Sequence, residues 1–79
     1  MIFTLPIPTR ERLVLRLLEA QSAKNGVLPS KIVVGVKEYE KVKFDMRRYG
    51  FHNRPLHIMG IPIEAGDIDR SVVKFEWRE

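Results

Sequence analysis

The chain has 79 residues and no cysteine, so we expect one small domain with neither a disulfide nor a thiol nucleophile. Apolar residues make up 44% of the chain, which excludes compositional disorder, and no apolar run approaches the roughly 20 residues of a membrane span. The formal charge of +4 is modestly basic and the first residues lack the pattern of a signal peptide, so we expect a cytoplasmic protein.

The N-terminal third predicts an extended segment followed by a helix. Residues 1–8 are apolar but contain two prolines, which limits them to an edge strand or an arm. Thr9 is a good N-cap for a helix over residues 10–24, and Gly26 supplies the left-handed position that ends it. The apolar arc of this helix is wide enough to predict contact with two other elements; it comprises Leu13, Val14, Leu15, Leu17, Leu18 and Ala20.

The middle of the chain predicts a buried strand and a second helix. Residues 31–36 are β-branched and almost continuously apolar, which is typical of a strand buried on both faces. The second helix is predicted over residues 37–49, with Gly50 as its stop in the left-handed conformation. Its predicted inward stripe consists of Tyr39, Val42, Met46 and Tyr49.

The C-terminal third predicts two more strands. Residues 56–63 read as one strand, in which Gly60 and Pro62 indicate a bulge or an edge position. A turn is predicted at residues 65–67. Residues 71–77 alternate between apolar and polar side chains and predict a half-buried strand.

These elements predict an α+β fold in a single domain over residues 1–79, in the order (β)-α-β-α-β-β. Both helices should pack on one face of a three- to four-stranded sheet that is mixed or antiparallel. An open edge at Ile61 and Pro62 would allow strand pairing between two copies, and hence a homodimer. The predicted core comprises Leu17, Ile32, Val34, Val42, Met46, Ile58, Phe75 and Trp77.

The sequence contains no constellation that is typical of an enzyme. His52 and His57 lack the spacing of helical metal ligands, and no serine stands in a nucleophile elbow. The acidic turn at Glu64, Asp67 and Asp69 either joins a histidine around a divalent ion or, as we expect, is simply solvated. Gly35, between a strand and a helix, stands where anions bind in other folds, but one glycine is weak support. We therefore predict no catalytic residue, no cofactor and no metal site.

The second helix carries the strongest surface pattern. Lys37, Lys41 and Arg48 fall within about 40° of one another at 100° per residue, and Phe44 lies beside them. Cations around an aromatic ring suit either an acidic protein or a nucleic acid, to which Arg54 would add a further charge. In the competing interpretation Phe44 packs against the first helix, and the acidic residues of the second helix dilute the positive field; these are Glu38, Glu40 and Asp45.

Residues 28–75 show a recognisable arrangement: PSKIVVGVKEYEKVKFDMRRYGF, a loop, LHIMGIPIEAGDID and VVKFEW. This arrangement resembles short proteins encoded by tailed phages and prophages. It is also similar to part of the core of tailed-phage major capsid proteins. In those proteins a helix opens with an acidic and an aromatic residue, here Glu38 and Tyr39, and a Gly-(Ile/Leu)-Pro-Val segment begins a strand after it. The letters that carry the resemblance are Pro29, Gly35, Glu38, Tyr39, Gly60, Pro62 and Gly66.

The resemblance implies a phage origin and a location in the host cytoplasm. It implies an accessory or assembly protein, or a modulator of a host protein; the chain is too short for a capsid subunit, so shell formation is not implied. The leading hypothesis is therefore a non-enzymatic protein that binds a host or phage protein. The alternative is a nucleic-acid-binding module that uses the same basic and aromatic helix face.

Overall fold

A computed structural model of the chain describes residues 1–50 and 56–78, and it has the predicted α+β fold with two helices. The sheet has five strands, however, rather than three to four. In chain order the elements are β1 (Ile2–Thr4), α1 (Arg10–Ala23), β2 (Lys31–Gly35), α2 (Val36–Arg48), β3 (His57–Ile58), β4 (Ile61–Gly66) and β5 (Val72–Glu76).

The sheet is mixed, and β2 lies at its centre. The strand order is β1-β5-β2-β4-β3, with β2 antiparallel to β5 and parallel to β4. β1 pairs antiparallel with β5 at one edge, and β3 pairs antiparallel with β4 at the other. The central strand is therefore hydrogen-bonded on both sides, which fits its nearly continuous apolar sequence.

The predicted strand over residues 56–63 is wrong, because the chain turns within it. Met59 and Gly60 both have a positive φ, of 52° and 79°, and together they connect β3 to β4 as a tight hairpin. Ile61 and Pro62 pair with β3 and so do not form the open edge that the sequence suggested for a dimer. The predicted turn at 65–67 is also too early, because β4 continues to Gly66 in order to pair with β2.

One hydrophobic core fills the space between the helices and one face of the sheet. The helices contribute Leu13, Leu17, Ala20, Val42 and Met46, and the strands contribute Ile32, Val34, Ile58, Ile61, Ile63, Val73 and Phe75. Of the predicted core, Trp77 alone is only partly buried. Its indole N–H donates to the carbonyl of Val27 at 3.0 Å and the ammonium of Lys24 lies 5.1 Å from the ring centroid, so it lies near the polar surface.

The predicted N-cap of the first helix and the positive φ of both glycine stops are confirmed, although the residue directly after the C-cap Lys24 is Asn25, with φ +55°, rather than Gly26. The hydroxyl of Thr9 accepts a hydrogen bond from the backbone N–H of Arg12 at 3.2 Å, which satisfies one free amide of the first turn. Gly26 and Gly50 have φ values of +87° and +84°, in the left-handed region that glycine adopts without strain.

Both helices bury a narrower stripe than the sequence predicts. The first helix does contact two elements, as predicted, because it packs in the core on the sheet and bonds to α2 through Asp45. Leu15 and Leu18, however, are 58% and 46% exposed and do not take part in the core. In α2, Val42 and Met46 are buried and Tyr39 is half-buried, but Tyr49 is 70% exposed. The helix ends at Arg48, so Tyr49 is the C-cap and no longer follows the helical stripe.

We expect Phe75→Ala to lower the free energy of unfolding by about 3–5 kcal/mol, because truncation leaves a cavity at the sheet–helix interface. Phe75 is 1% exposed, and its ring meets that of Phe3 edge to face with 5.5 Å between centroids. Urea unfolding followed by circular dichroism measures the change. Phe44→Ala is the matched control, and it should shift the free energy by less than about 0.5 kcal/mol because its ring is exposed. Equal stabilities of the two variants would contradict the placement of Phe75 in the core.

Candidate functional site

The orientation of α2 is fixed where it leaves the sheet. β2 continues into α2 without a loop, and Gly35 is both the last strand residue and the N-cap. A Cβ at Gly35 would lie 2.5 Å from Oε1 of Glu38, so only glycine fits here without displacing that carboxylate. Gly35 also pairs with Gly66, where a Cβ would meet Val33 at 2.6 Å. The chain is therefore closely packed at the corner where β2, β4 and the first turn of α2 meet.

Glu38 is a charged side chain that the structure places inside. It is 4% exposed, and its carboxylate folds back over the N-cap Gly35. A negative group in the first turn is stabilised by the positive end of the helix dipole. The carboxylate of Glu38 therefore lies beside Gly35, in the region where the sequence suggested an external anion.

The outward side of α2 presents the predicted cations and aromatic ring together. Lys37, Lys41, Phe44 and Arg48 are all exposed, and we call these four residues the basic–aromatic face. Phe44 is 67% exposed, which excludes the competing interpretation in which it packs against α1. The four residues are spaced by four, three and four positions and extend over about 16 Å of the helix. Arg54, the fifth residue predicted for this site, lies outside the described residues.

The acidic residues of α2 mostly point away from this face. Glu38 is buried, and Asp45 accepts a hydrogen bond from the backbone N–H of Arg10, at the start of α1, at 3.0 Å. Of the three acidic residues expected to dilute the positive field, only Glu40 is exposed. The helix surface is therefore more cationic than its sequence suggests.

Two exposed residues near this face are missed by the sequence-based prediction. Val36 was assigned to the preceding strand, but it is the first residue of α2 and is 64% exposed. Tyr49, which the sequence predicts on the inward stripe, is exposed at the other end of the helix. A one-residue shift in each helix boundary accounts for both errors, and the sequence offers no sharper boundary signal than Gly35 and Gly50.

The other candidate residues that the structure describes do not form a site together. His52 lies outside the described residues, while His57 is half-buried in β3. Asp67 and Asp69 are exposed after β4, and Glu64 pairs with Lys31 on the sheet. Within residues 1–50 and 56–78, no three His, Asp or Glu side chains converge as metal ligands would.

The sheet face opposite the helices is occupied by ion pairs. Lys31 at the centre lies 3.2 Å from Glu64 and 3.5 Å from Glu76, and Lys74 lies 3.9 Å from Glu76. The hydrogen bond to Glu64, followed by the negative charges of Glu64 and Glu76, raises the pKa of Lys31 above its ordinary value. Because opposite charges are neighbours here, this face presents a weaker net field than the basic–aromatic face.

Comparison with protein-family models, with curated proteins and with solved structures gives no significant match. No helix in the described part of the chain is both long and apolar enough to cross a membrane. The geometry of the chain itself must therefore carry the functional argument.

We expect Asp45→Ala to destabilise the fold by about 1–2 kcal/mol, because it removes a charged acceptor from the N-terminus of α1. Urea unfolding measures the loss. Glu40→Ala on the same helix is the control, since its side chain is exposed, and it should change stability by less than about 0.5 kcal/mol. A loss at Asp45 no larger than at Glu40 would show that the contact between the helices contributes nothing.

Lys31 should make stability depend on alkaline pH. Its folded pKa lies above the unfolded value, so its contribution is fully present below about pH 10.5 and is lost as pH rises through the folded pKa. The difference in unfolding free energy between the wild type and Lys31→Gln should therefore be constant from pH 7 to about pH 10 and shrink above that. In a Glu64→Gln background, the same difference should be smaller at neutral pH. A difference that persists unchanged through alkaline pH would refute the ion-pair assignment.

Proposed function

We propose that the protein is a small, non-enzymatic accessory protein of the phage type, which binds another protein through the basic–aromatic face of α2. The observation that carries this proposal is the position of Phe44, 67% exposed among three exposed cations on a regular helix. A large exposed ring on a rigid element loses little conformational entropy on binding and can supply the centre of an interface.

The chemistry of the face defines the partner. Lys37, Lys41 and Arg48 surround the ring and would meet carboxylates at the rim of the interface, while the ring enters an apolar recess. The inward placement of Glu38 and the engagement of Asp45 by α1 remove two charges that would repel such a partner. An acidic protein surface with an apolar recess is thus the best complement.

The resemblance to phage proteins supports the proposal that this is a phage-type accessory protein. It does not bear on the choice of the basic–aromatic face as the binding surface. Among its letters, Gly35, Glu38 and Gly66 lie together at the ends of β2 and β4, where each has a packing role. A phage origin, a host or phage partner and a cytoplasmic location belong to this proposal, as does the role of assembly factor or modulator.

Nucleic acid binding is the second candidate, and the spacing of the cations favours it. Lys37 and Lys41 lie one helical turn apart and Arg48 two turns further, so they could follow the phosphates of one strand while Phe44 stacks on a base. This candidate predicts a log-linear fall of affinity with salt, with a slope near −0.7 to −0.9 for each phosphate contact. A protein interface centred on Phe44 predicts a much weaker dependence.

Charge reversal on the face should abolish binding and preserve the fold. Lys41→Glu combined with Arg48→Glu replaces attraction by repulsion at two exposed positions. We expect the wild-type chain, used as bait in nuclease-treated host lysate, to retain a partner that this variant loses. Circular dichroism should show unchanged folding of the variant.

The matched control carries the same change in net charge elsewhere. Arg70 and Arg78 are exposed and belong to the segments that follow β4 and β5 rather than to α2, so Arg70→Glu with Arg78→Glu should retain the partner. Retention of the partner by the Lys41 and Arg48 variant would place the binding surface elsewhere. Capture that disappears with nuclease, together with steep salt dependence on a labelled single-stranded oligonucleotide, would favour the nucleic-acid function.

A further inference from the structure

Helix α1 exposes a second surface that neither the core nor the basic–aromatic face uses. Leu15 is 58% exposed and Leu18 is 46% exposed, on the side of the helix opposite the buried Leu13, Leu17 and Ala20. With Glu11 and Ser22 they form a seam with spacings of four, three and four residues. This is the spacing with which two helices pack along each other.

Leu15 stands between two grooves. One groove, of about 450 Å³, lies between α1 and the end of α2 and is lined by Leu15, Asp45 and Tyr49 among others. The other, of about 560 Å³, lies between α1 and residues 4–6 and is lined by both Leu15 and Leu18. When two helices pack, the side-chain ridge of each helix enters a groove of the other. Leu15 forms such a ridge, and the grooves on its two sides can receive the ridge of a second helix.

We propose that this seam is a homodimer interface, in which α1 packs antiparallel against α1 of a second copy. With the two-fold axis midway between Leu15 and Leu18, each Leu15 faces Leu18 of the second copy, so four leucines form the centre. In such an interface every contact occurs twice, and a surface must therefore complement itself.

The charges beside the seam meet this requirement. Arg12 and Glu19 lie on the same flank, about 20° apart around the helix and seven residues apart along it. The two-fold axis brings Glu19 of the second copy to the level of residue 14, about 3 Å along the axis from Arg12. Within each copy Glu19 also pairs with Arg16 at 2.9 Å, so in the dimer its carboxylate would lie between Arg16 of its own chain and Arg12 of the second copy.

A second copy fits this seam better than a strongly charged partner does. The exposed surface around the leucines carries both signs, in Glu11 and Glu19 and in Arg12 and Arg16. A partner of one sign would meet a like charge at part of this surface, whereas an antiparallel copy places opposite charges together. The inference does not depend on the function proposed for α2.

Sedimentation equilibrium of the full chain over a wide concentration range tests the proposal. The wild type should show a reversible monomer–dimer equilibrium. Leu15→Arg with Leu18→Arg should raise the dissociation constant about 30-fold or more, since it places like charges at the centre of the interface. Val27→Arg is the matched control, because Val27 is equally exposed, at 58%, but lies away from the seam; it should leave the equilibrium unchanged.

A charge exchange tests the antiparallel register. Arg12→Glu and Glu19→Arg should each weaken dimerisation of the chain that carries them. Each change makes residues 12 and 19 carry the same charge, and the two-fold axis brings these residues together at two equivalent contacts. An equal mixture of the two variants should form a heterodimer tighter than either homodimer, since both cross-pairs are then attractive. Circular dichroism of each chain checks that α1 is intact.

Three results would overturn the proposal: a wild type that stays monomeric at all concentrations, a dimer that survives Leu15→Arg with Leu18→Arg, or a mixture no tighter than its components. The first would leave α1 without this partner. The second would place the dimer interface on another surface. The third would reject the antiparallel register that brings Arg12 beside Glu19.

Discussion

The pairing of β2 with β4 on one side and β5 on the other is the constraint on which the rest of the structure depends. Ile32 and Val34 of β2 are fully buried against the helices, and Val33 is only 9% exposed on the opposite face. Because this strand continues directly into α2 at Gly35, the position of the sheet determines the direction of the helix. The contact of Gly66 with Val33 lets β4 approach closely enough to complete the pairing.

Two carboxylates connect this architecture to the surface of the protein. Glu38 folds back over the start of its own helix, and Asp45 accepts a hydrogen bond from the start of α1. Each stabilises a helix N-terminus, where a negative charge is favourable. Since both are thereby directed away from solvent on the outer side of α2, the interactions that hold the helices in place also make that side cationic.

The helices present two exposed surfaces of different chemistry. The face of α2 combines one aromatic ring with cations, and it suits a partner that supplies the opposite charge. The seam of α1 combines leucines with charges of both signs, and it suits a copy of itself. The sheet's other face carries its ion pairs within the chain, centred on Lys31. The two helices thus present chemically different surfaces on the same small domain.

The sequence by itself determined the local features: both helices, their glycine stops, the Thr9 cap, the buried central strand and the exposed cations of α2. These follow from periodicity, capping and backbone freedom within a few residues, so local patterns are sufficient to predict them. The tertiary structure alone decided the hairpin at Met59, the parallel pairing of β4 with β2, the burial of Glu38 and the exposure of Leu15 and Leu18. Each of these depends on which segments distant in sequence come into contact, and periodicity does not encode that information.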